Sequence, residues 1–156
     1  MLESTPPLPA DPADLADLDD PVAGVVAVDL SRRFVRLCLS WAEPMVGELA
    51  AREATLRRPG GVELMGRQLV ERFYRRIDPD VFAHFSRCVP LSHAAHALSR
   101  AEEALRAQFA LVADIATVTL LDRGRDAAIQ MTAVAATVAG QDLRTQIAAI
   151  IAEIRD

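Results

Sequence analysis

The chain has 156 residues, a length typical of a single domain that buries roughly 70% of its unfolded surface. Hydrophobic residues make up 51% of it but aromatic residues only 4%, a composition that favours packed helices over a β-sandwich. The formal net charge of −5 arises in residues 1–20, so the rest of the chain is nearly neutral and a poor match for nucleic acid or an anionic membrane.

All 17 basic residues are arginine, which we interpret as the codon bias of a GC-rich bacterial genome. Residues 1–20 combine proline, acidic residues and a few leucines, and such a segment cannot bury enough apolar surface to offset the entropy lost on ordering. We therefore predict a disordered acidic tail over residues 1–20 and a single helical domain over residues 21–156.

The N-terminal region is acidic and proline-rich, unlike a secretory signal. The most apolar stretch, Phe109–Leu121, is short for a bilayer span and contains Asp114. We therefore expect a cytoplasmic protein.

From residue 21 onward, apolar residues recur at steps of three and four, which predicts an amphipathic helix. Ser40 followed by Glu43 fits a capping box, and Pro44 is tolerated only in a first helical turn or at a kink. These residues predict a break near residue 41 and a second helix that extends to about Arg58. The sequence Pro59-Gly60-Gly61 is expected to end it.

A third helix is predicted over residues 62–77, with five side chains facing inward: Leu64, Leu69, Val70, Phe73 and Tyr74. A short helix is expected to start at Asp78-Pro79, which fit its N-cap and first position. A long helix is predicted over 93–121, a turn at Gly124, an alanine-rich helix that ends at Gly140, and a last helix over 142–154. The sequence thus predicts an all-α fold, a compact bundle of about six or seven helices.

Residues 60–85, GGVELMGRQLVERFYRRIDPDVFAHF, resemble the opening helices of a bacterial truncated globin. In this resemblance Tyr74 matches the distal-pocket tyrosine and Phe85 the phenylalanine that packs on haem. Globins of this family hold iron through a proximal histidine several dozen residues further on. Because no histidine follows His96, the resemblance implies a globin-like fold without haem, in which a ligand-sensing pocket would lie beneath Tyr74 and Phe85.

All three histidines and one of the two cysteines fall close together in the sequence. His84 and Cys88 are one helical turn apart, and His93 and His96 also share a helical face, so the four side chains have the right chemistry for a tetrahedral zinc site. The alternative is that His93 and His96 occupy the exposed first turn of a helix. We expect no cofactor, with zinc and haem as the alternatives.

Catalytic motifs are missing from the sequence: it has no nucleophile elbow, P-loop, dinucleotide fingerprint or di-iron pattern. Carboxylate pairs such as Glu102-Glu103 have arginines about one turn away, an arrangement typical of a solvated helix face. These observations argue against an enzyme.

The last predicted helix carries one apolar stripe at heptad-like spacing, formed by Leu143, Ile147, Ile150 and Ile154. Alanine-rich faces beside it permit close helix approach. We therefore predict a non-catalytic bacterial binding or regulatory module that acts through helix–helix contacts. The stripe is the predicted interface, either of a homodimer or with another protein, and no nucleic-acid or membrane partner is expected.

Overall fold

The computed structural model of the protein describes residues 21–76 and 89–155. Within these ranges the chain forms five α-helices and one 3-10 turn, and it contains no β-strand. The elements are α1 (Pro21–Ala51), α2 (Glu53–Leu56), α3 (Gly61–Tyr74), the 3-10 turn (Leu91–His93), α4 (Ala94–Arg123) and α5 (Arg125–Arg155). The all-α prediction is confirmed, but the described ranges hold five helices instead of six or seven. The predicted tail and the short helix at Asp78 lie outside them.

Helices α4 and α5 form an antiparallel hairpin around a single connecting residue, Gly124. Gly124 has a φ of +94°, and a residue with a Cβ atom adopts positive φ only at a cost of about 1–2 kcal/mol. Its N–H donates to the Leu120 carbonyl at the end of α4, and its own carbonyl accepts from the Ala128 N–H in α5. The turn predicted at this glycine is confirmed.

The core lies where α1 and α3 pack against this hairpin, with α1 mainly on α5 and α3 mainly on α4. Four aromatic rings meet there: Phe34 and Trp41 from α1, Phe73 from α3 and Phe109 from α4. Phe73 and Phe109 are stacked with ring centroids 3.9 Å apart, while Phe34 meets Phe73 edge-on at 5.5 Å. Such pairs add about 0.5–1.5 kcal/mol each beyond the burial of their area.

The break predicted near residue 41 is wrong, because α1 continues through Pro44. The Ser40 hydroxyl donates to the Leu37 carbonyl at 2.9 Å, so this serine belongs to the preceding turn and does not cap a new helix. Ser40 and Pro44 are both exposed, so water can bind the carbonyl that the proline leaves without a donor. Trp41 and Met45 are buried on the opposite face, and their packing offsets the roughly 3 kcal/mol that proline costs inside a helix.

The helix end predicted at Gly140 is also wrong, because α5 runs without interruption through this residue. Gly140 is buried where α5 crosses α1, and a Cβ atom there would overlap a methyl group of Val35 and lie 3.7 Å from the Ser31 carbonyl oxygen. Gly140 therefore allows α1 and α5 to approach each other closely and does not form a turn.

Helix α3 begins at Gly61, close to the predicted boundary. Its buried face consists of Gly61, Met65, Leu69 and Phe73, at steps of four residues. Leu64 was expected to face inward, but it is exposed. The prediction failed there because Leu64 lies about 100° away from Met65 around the helix, and Met65 occupies the inner position.

The stripe predicted as an interface lies inside the single chain. Leu143, Ile147 and Ile150 are buried, and Ile154 is partly buried against the same core. The surface that covers them comes from the same protein, chiefly from α1 and α4. This stripe therefore does not supply the exposed surface on which we based a homodimer.

Candidate functional site

Tyr74 belongs to a group of polar side chains that joins α3 to α4. Its hydroxyl is hydrogen-bonded to the Glu102 carboxylate. The Arg106 guanidinium lies over its ring, 4.4 Å from the ring centre, and forms an ion pair with Glu71 at 3.2 Å. A carboxylate contact and a cation–π contact of this kind hold two helices together without a ligand. Phe85, the other residue of the globin-like pair, lies outside the described residues, and the globin resemblance stays a prediction.

The ionisation of Tyr74 offers a direct test of this contact. Burial, followed by the hydrogen bond to Glu102, raises the pKa of Tyr74 to about 12. Because the neutral phenol is favoured in the folded state, its contribution to stability is complete below the ordinary pKa of about 10 and is lost as the pH rises towards 12. Tyr74 is the only tyrosine, so the near-ultraviolet absorbance of tyrosinate reports it alone.

We expect a midpoint near 12 in the folded protein. The variant Glu102→Gln, which removes the neighbouring negative charge, should lower the midpoint, and denatured protein should titrate near the ordinary value. A midpoint that Glu102→Gln leaves unchanged would contradict the contact.

A groove of about 560 Å³ runs between α3 and α4 beside this cluster. Small side chains at Gly66, Ala107 and Ala110 leave the space open. Glu63 and Asp114 also line it, and burial together with the Glu63 charge raises the pKa of Asp114. The described lining residues include no serine, threonine, cysteine or histidine, and the ionisable groups among them are carboxylates and guanidinium groups.

The predicted zinc ligands are only partly described. His84 and Cys88 lie outside the described residues. His93, at the end of the 3-10 turn, and His96, in the first turn of α4, are both exposed, and the Nδ1 atom of His93 lies 3.0 Å from the Ser92 hydroxyl. Within residues 21–76 and 89–155, no group of three or more His, Cys, Asp or Glu side chains is placed to hold a metal ion. The four-residue zinc site stays a prediction.

An apolar outer face on the α4–α5 hairpin was missed by the sequence reasoning. It consists of six exposed side chains, three from each helix: Leu111, Ile115, Val118, Met131, Val134 and Val138. Along each helix they are three or four residues apart, so they form one stripe per helix. We call these six residues the hairpin face.

The two stripes lie side by side. Leu111 and Val118 follow Arg100 by close to three and five helical turns, so all three residues share one side of α4. Arg100 forms a salt bridge at 2.8 Å with Glu153 of α5, so this side of α4 borders α5.

The connection at Gly124 places the two stripes at a similar height along the hairpin. Val118 and Met131 lie six and seven residues from this glycine, and Leu111 and Val138 lie 13 and 14 residues from it. The hairpin face is therefore one continuous patch that spans about two turns of each helix.

A composition signal in the sequence could have revealed this patch. Residues 127–141 carry no charged side chain, and residues 107–121 carry only Asp114. An exposed helix face normally carries charged residues, so a long uncharged stretch indicates that a second face of the helix packs against another helix or another molecule. The sequence reasoning assigned the surplus apolar surface to the Leu143 stripe because periodicity alone does not tell which face packs inside the chain.

Residues 91–123, the 3-10 turn with α4, are long and apolar enough to count as a candidate membrane span by length and composition. No such span was expected from the sequence because the most apolar stretch, Phe109–Leu121, is short for a bilayer, whereas the helix that contains it is longer. The core helix of a soluble protein meets the same criterion, and ten side chains of α4 are buried in the core.

Comparison with known proteins yields no relative from which to transfer a function. No protein-family model matches the sequence, and no curated protein or solved structure matches it significantly.

Proposed function

We propose that this protein is a non-catalytic binding module that acts through helix–helix contacts, and that the hairpin face is its contact surface. The observation that carries the proposal is the exposure of six large apolar side chains on one continuous patch, where Asp114 is the only charged residue within 107–121 and 127–141. Soluble proteins rarely leave such a patch open unless another molecule covers it.

The energetic reason is the cost of apolar surface in water. Covering it is worth about 25 cal/mol for each Å² removed from water, and such a gain is available to any partner with a complementary apolar surface. Helices suit this surface because its two parallel rows of side chains leave a groove between them, into which the side chains of another helix fit. Helix-in-groove binding of this kind relies on apolar contacts at steps of three and four residues.

A protein partner fits the charges near the hairpin face better than a lipid surface does. Helices that lie on membranes carry mainly basic residues beside their apolar face. Helices α4 and α5 together carry seven acidic residues and six arginines, and Asp114 lies exposed between Leu111 and Val118 along α4. The same balance gives nucleic acid no basic stripe to bind.

A position-specific photocrosslinking experiment tests the proposal. A photoreactive amino acid is introduced at Val134 or Val118, which are 55% and 62% exposed, and the full chain is irradiated in extracts of cells that express it. We expect discrete protein adducts from both positions, and we expect Val138→Glu to abolish them because it places a charge inside the contact. The matched control is Leu64 on α3, an exposed apolar residue away from the hairpin face, which should give none.

Two outcomes would overturn the proposal. One is the failure of both face positions to form adducts under conditions in which the photoreactive group is consumed. The other is equal labelling from Leu64, which would mean that the adducts reflect general stickiness and not a defined surface.

A further inference from the structure

About three to four helical turns beyond the hairpin face, one positive and one negative side chain meet across the hairpin. Arg100 of α4 and Glu153 of α5 lie at the end of the hairpin away from Gly124, and their side chains are joined by a salt bridge. The six side chains of the hairpin face are uncharged, and Asp114 is the only charged residue within 107–121 and 127–141. The surface therefore has an apolar centre with Asp114 beside it, and its rim, at the end of the hairpin away from the turn, carries two charges that cancel.

Such a surface is complementary to itself. A two-fold axis parallel to the helices places α4 of one copy against α5 of the other copy, and these two helices run antiparallel to each other. Rotation about this axis leaves every residue at its original height along the helices. The α4 stripe of one copy then covers the α5 stripe of the other, with Ile115 opposite Val134 and Leu111 opposite Val138. Arg100 of each copy faces Glu153 of the other, so the four rim charges alternate in sign around the end of the assembly.

We infer that a second copy of this chain covers the hairpin face in a two-fold, antiparallel four-helix bundle made of two α4–α5 hairpins. This inference rests on the proposed function and names its partner. The arrangement has the antiparallel packing common to four-helix bundles, in which side chains of each helix fill the spaces on its neighbours. It differs from the dimer expected from the sequence, because the contact uses the outer face of α5 and not the buried Leu143 stripe.

The charge pattern favours this orientation over the other two-fold arrangement. An axis perpendicular to the helices and through the centre of the hairpin face would carry Arg100 and Glu153 of one copy past the Gly124 turn of the other copy, because both residues lie more than 20 residues from that turn. The pair of one copy would then not face the pair of the other. Only the parallel axis pairs the rim charges and the apolar stripes at the same time.

The test measures the oligomeric state of the purified full-length protein by sedimentation velocity. We expect the wild type to be dimeric at about 100 µM, and Val134→Glu to raise the dissociation constant at least about a hundredfold, because a charge would enter the apolar centre. Val118→Glu provides a second variant on the other helix. Since both residues are exposed in the single chain, circular dichroism should remain helical. The matched control Leu64→Glu, on α3, should dimerise like the wild type.

Charge reversal at the rim tests the orientation. Arg100→Glu and Glu153→Arg should each weaken the dimer about fivefold, whereas an equimolar mixture of the two variants should form a heterodimer with a dissociation constant within about twofold of the wild type, because each reversed charge then faces its opposite on the other copy. In neither variant is the salt bridge within the chain restored, so a mixture that associates as weakly as the single variants would overturn the arrangement of α4 on α5.

A wild type that is monomeric at about 100 µM, or a Val134→Glu variant that dimerises as well as the wild type, would overturn the second-copy inference. The proposed function fails separately. If the isolated protein is monomeric while the Val134 photocrosslinker labels a different protein, only the inference is lost. If neither a dimer nor a face-specific adduct forms, both are lost.

Discussion

Replacing Ile147 with aspartate is expected to unfold the protein. Ile147 is fully buried among the side chains of the core, so the variant would lose the burial of an isoleucine and introduce a carboxylate without a partner. We expect a loss of about 5 kcal/mol or more, which is comparable with the whole stability of a typical domain. Far-ultraviolet circular dichroism and urea unfolding would measure the effect.

The matched control is Gln141→Asp, an exposed position on the same helix, which should change the free energy of unfolding by no more than about 0.5 kcal/mol. The conservative change Ile147→Val should cost about 1 kcal/mol, because it removes one methyl group from a packed site. A folded, monomeric Ile147→Asp protein would contradict the packing and would instead support the interface predicted from the sequence.

Gly61→Ala is expected to destabilise the protein by about 3 kcal/mol, or roughly 6–12 °C in Tm. A Cβ atom at Gly61 would overlap the Thr55 carbonyl oxygen and lie 2.9 Å from the Thr55 carbonyl carbon and 3.3 Å from the Leu56 Cα atom. These are main-chain atoms, so no side-chain rotation relieves the overlap, and the turn between α2 and α3 must move. Thermal unfolding of the full-length chain would measure the shift.

Two other glycines act as controls for Gly61. Gly60 has a φ of +78° but open space around it, so Gly60→Ala should cost only the conformational strain, about 1 kcal/mol. Gly66 lies inside α3, with its nearest neighbour 3.9 Å from an added Cβ atom, so Gly66→Ala should stabilise the helix by about 0.5–1 kcal/mol. An equal effect at all three positions would show that helix propensity, and not the Thr55 contact, decides the outcome.

The group of polar side chains around Tyr74 was only partly predictable from the sequence. The sequence pointed to Tyr74 through a family resemblance, but the contacts that hold it come from Glu102 and Arg106, which lie 28 and 32 residues further along the chain, on α4. Their approach depends on how α3 lies against α4. The hairpin face was predictable in principle, because the absence of charges over residues 127–141 is visible in the sequence.

The sequence by itself determined the all-α class, the turn at Gly124 and the presence of more apolar helix surface than one face requires. Composition and the helical repeat carry this information locally, since they depend on residues within a few turns of each other. The backbone freedom of a glycine between two long apolar helices is a signal of the same local kind.

Only the tertiary structure decided whether α1 continues through Pro44, whether α5 continues through Gly140, and which apolar stripe of α5 lies inside. A proline or glycine in a helix costs about 1–3 kcal/mol, and packing of neighbouring side chains such as Trp41 and Met45 can exceed that. Gly140 is required by the closeness of α1, a contact about 100 residues away in the sequence. The stripe around Ile147 is buried because α1 and α4 cover it, and the outer stripe around Val134 is exposed because no described helix does.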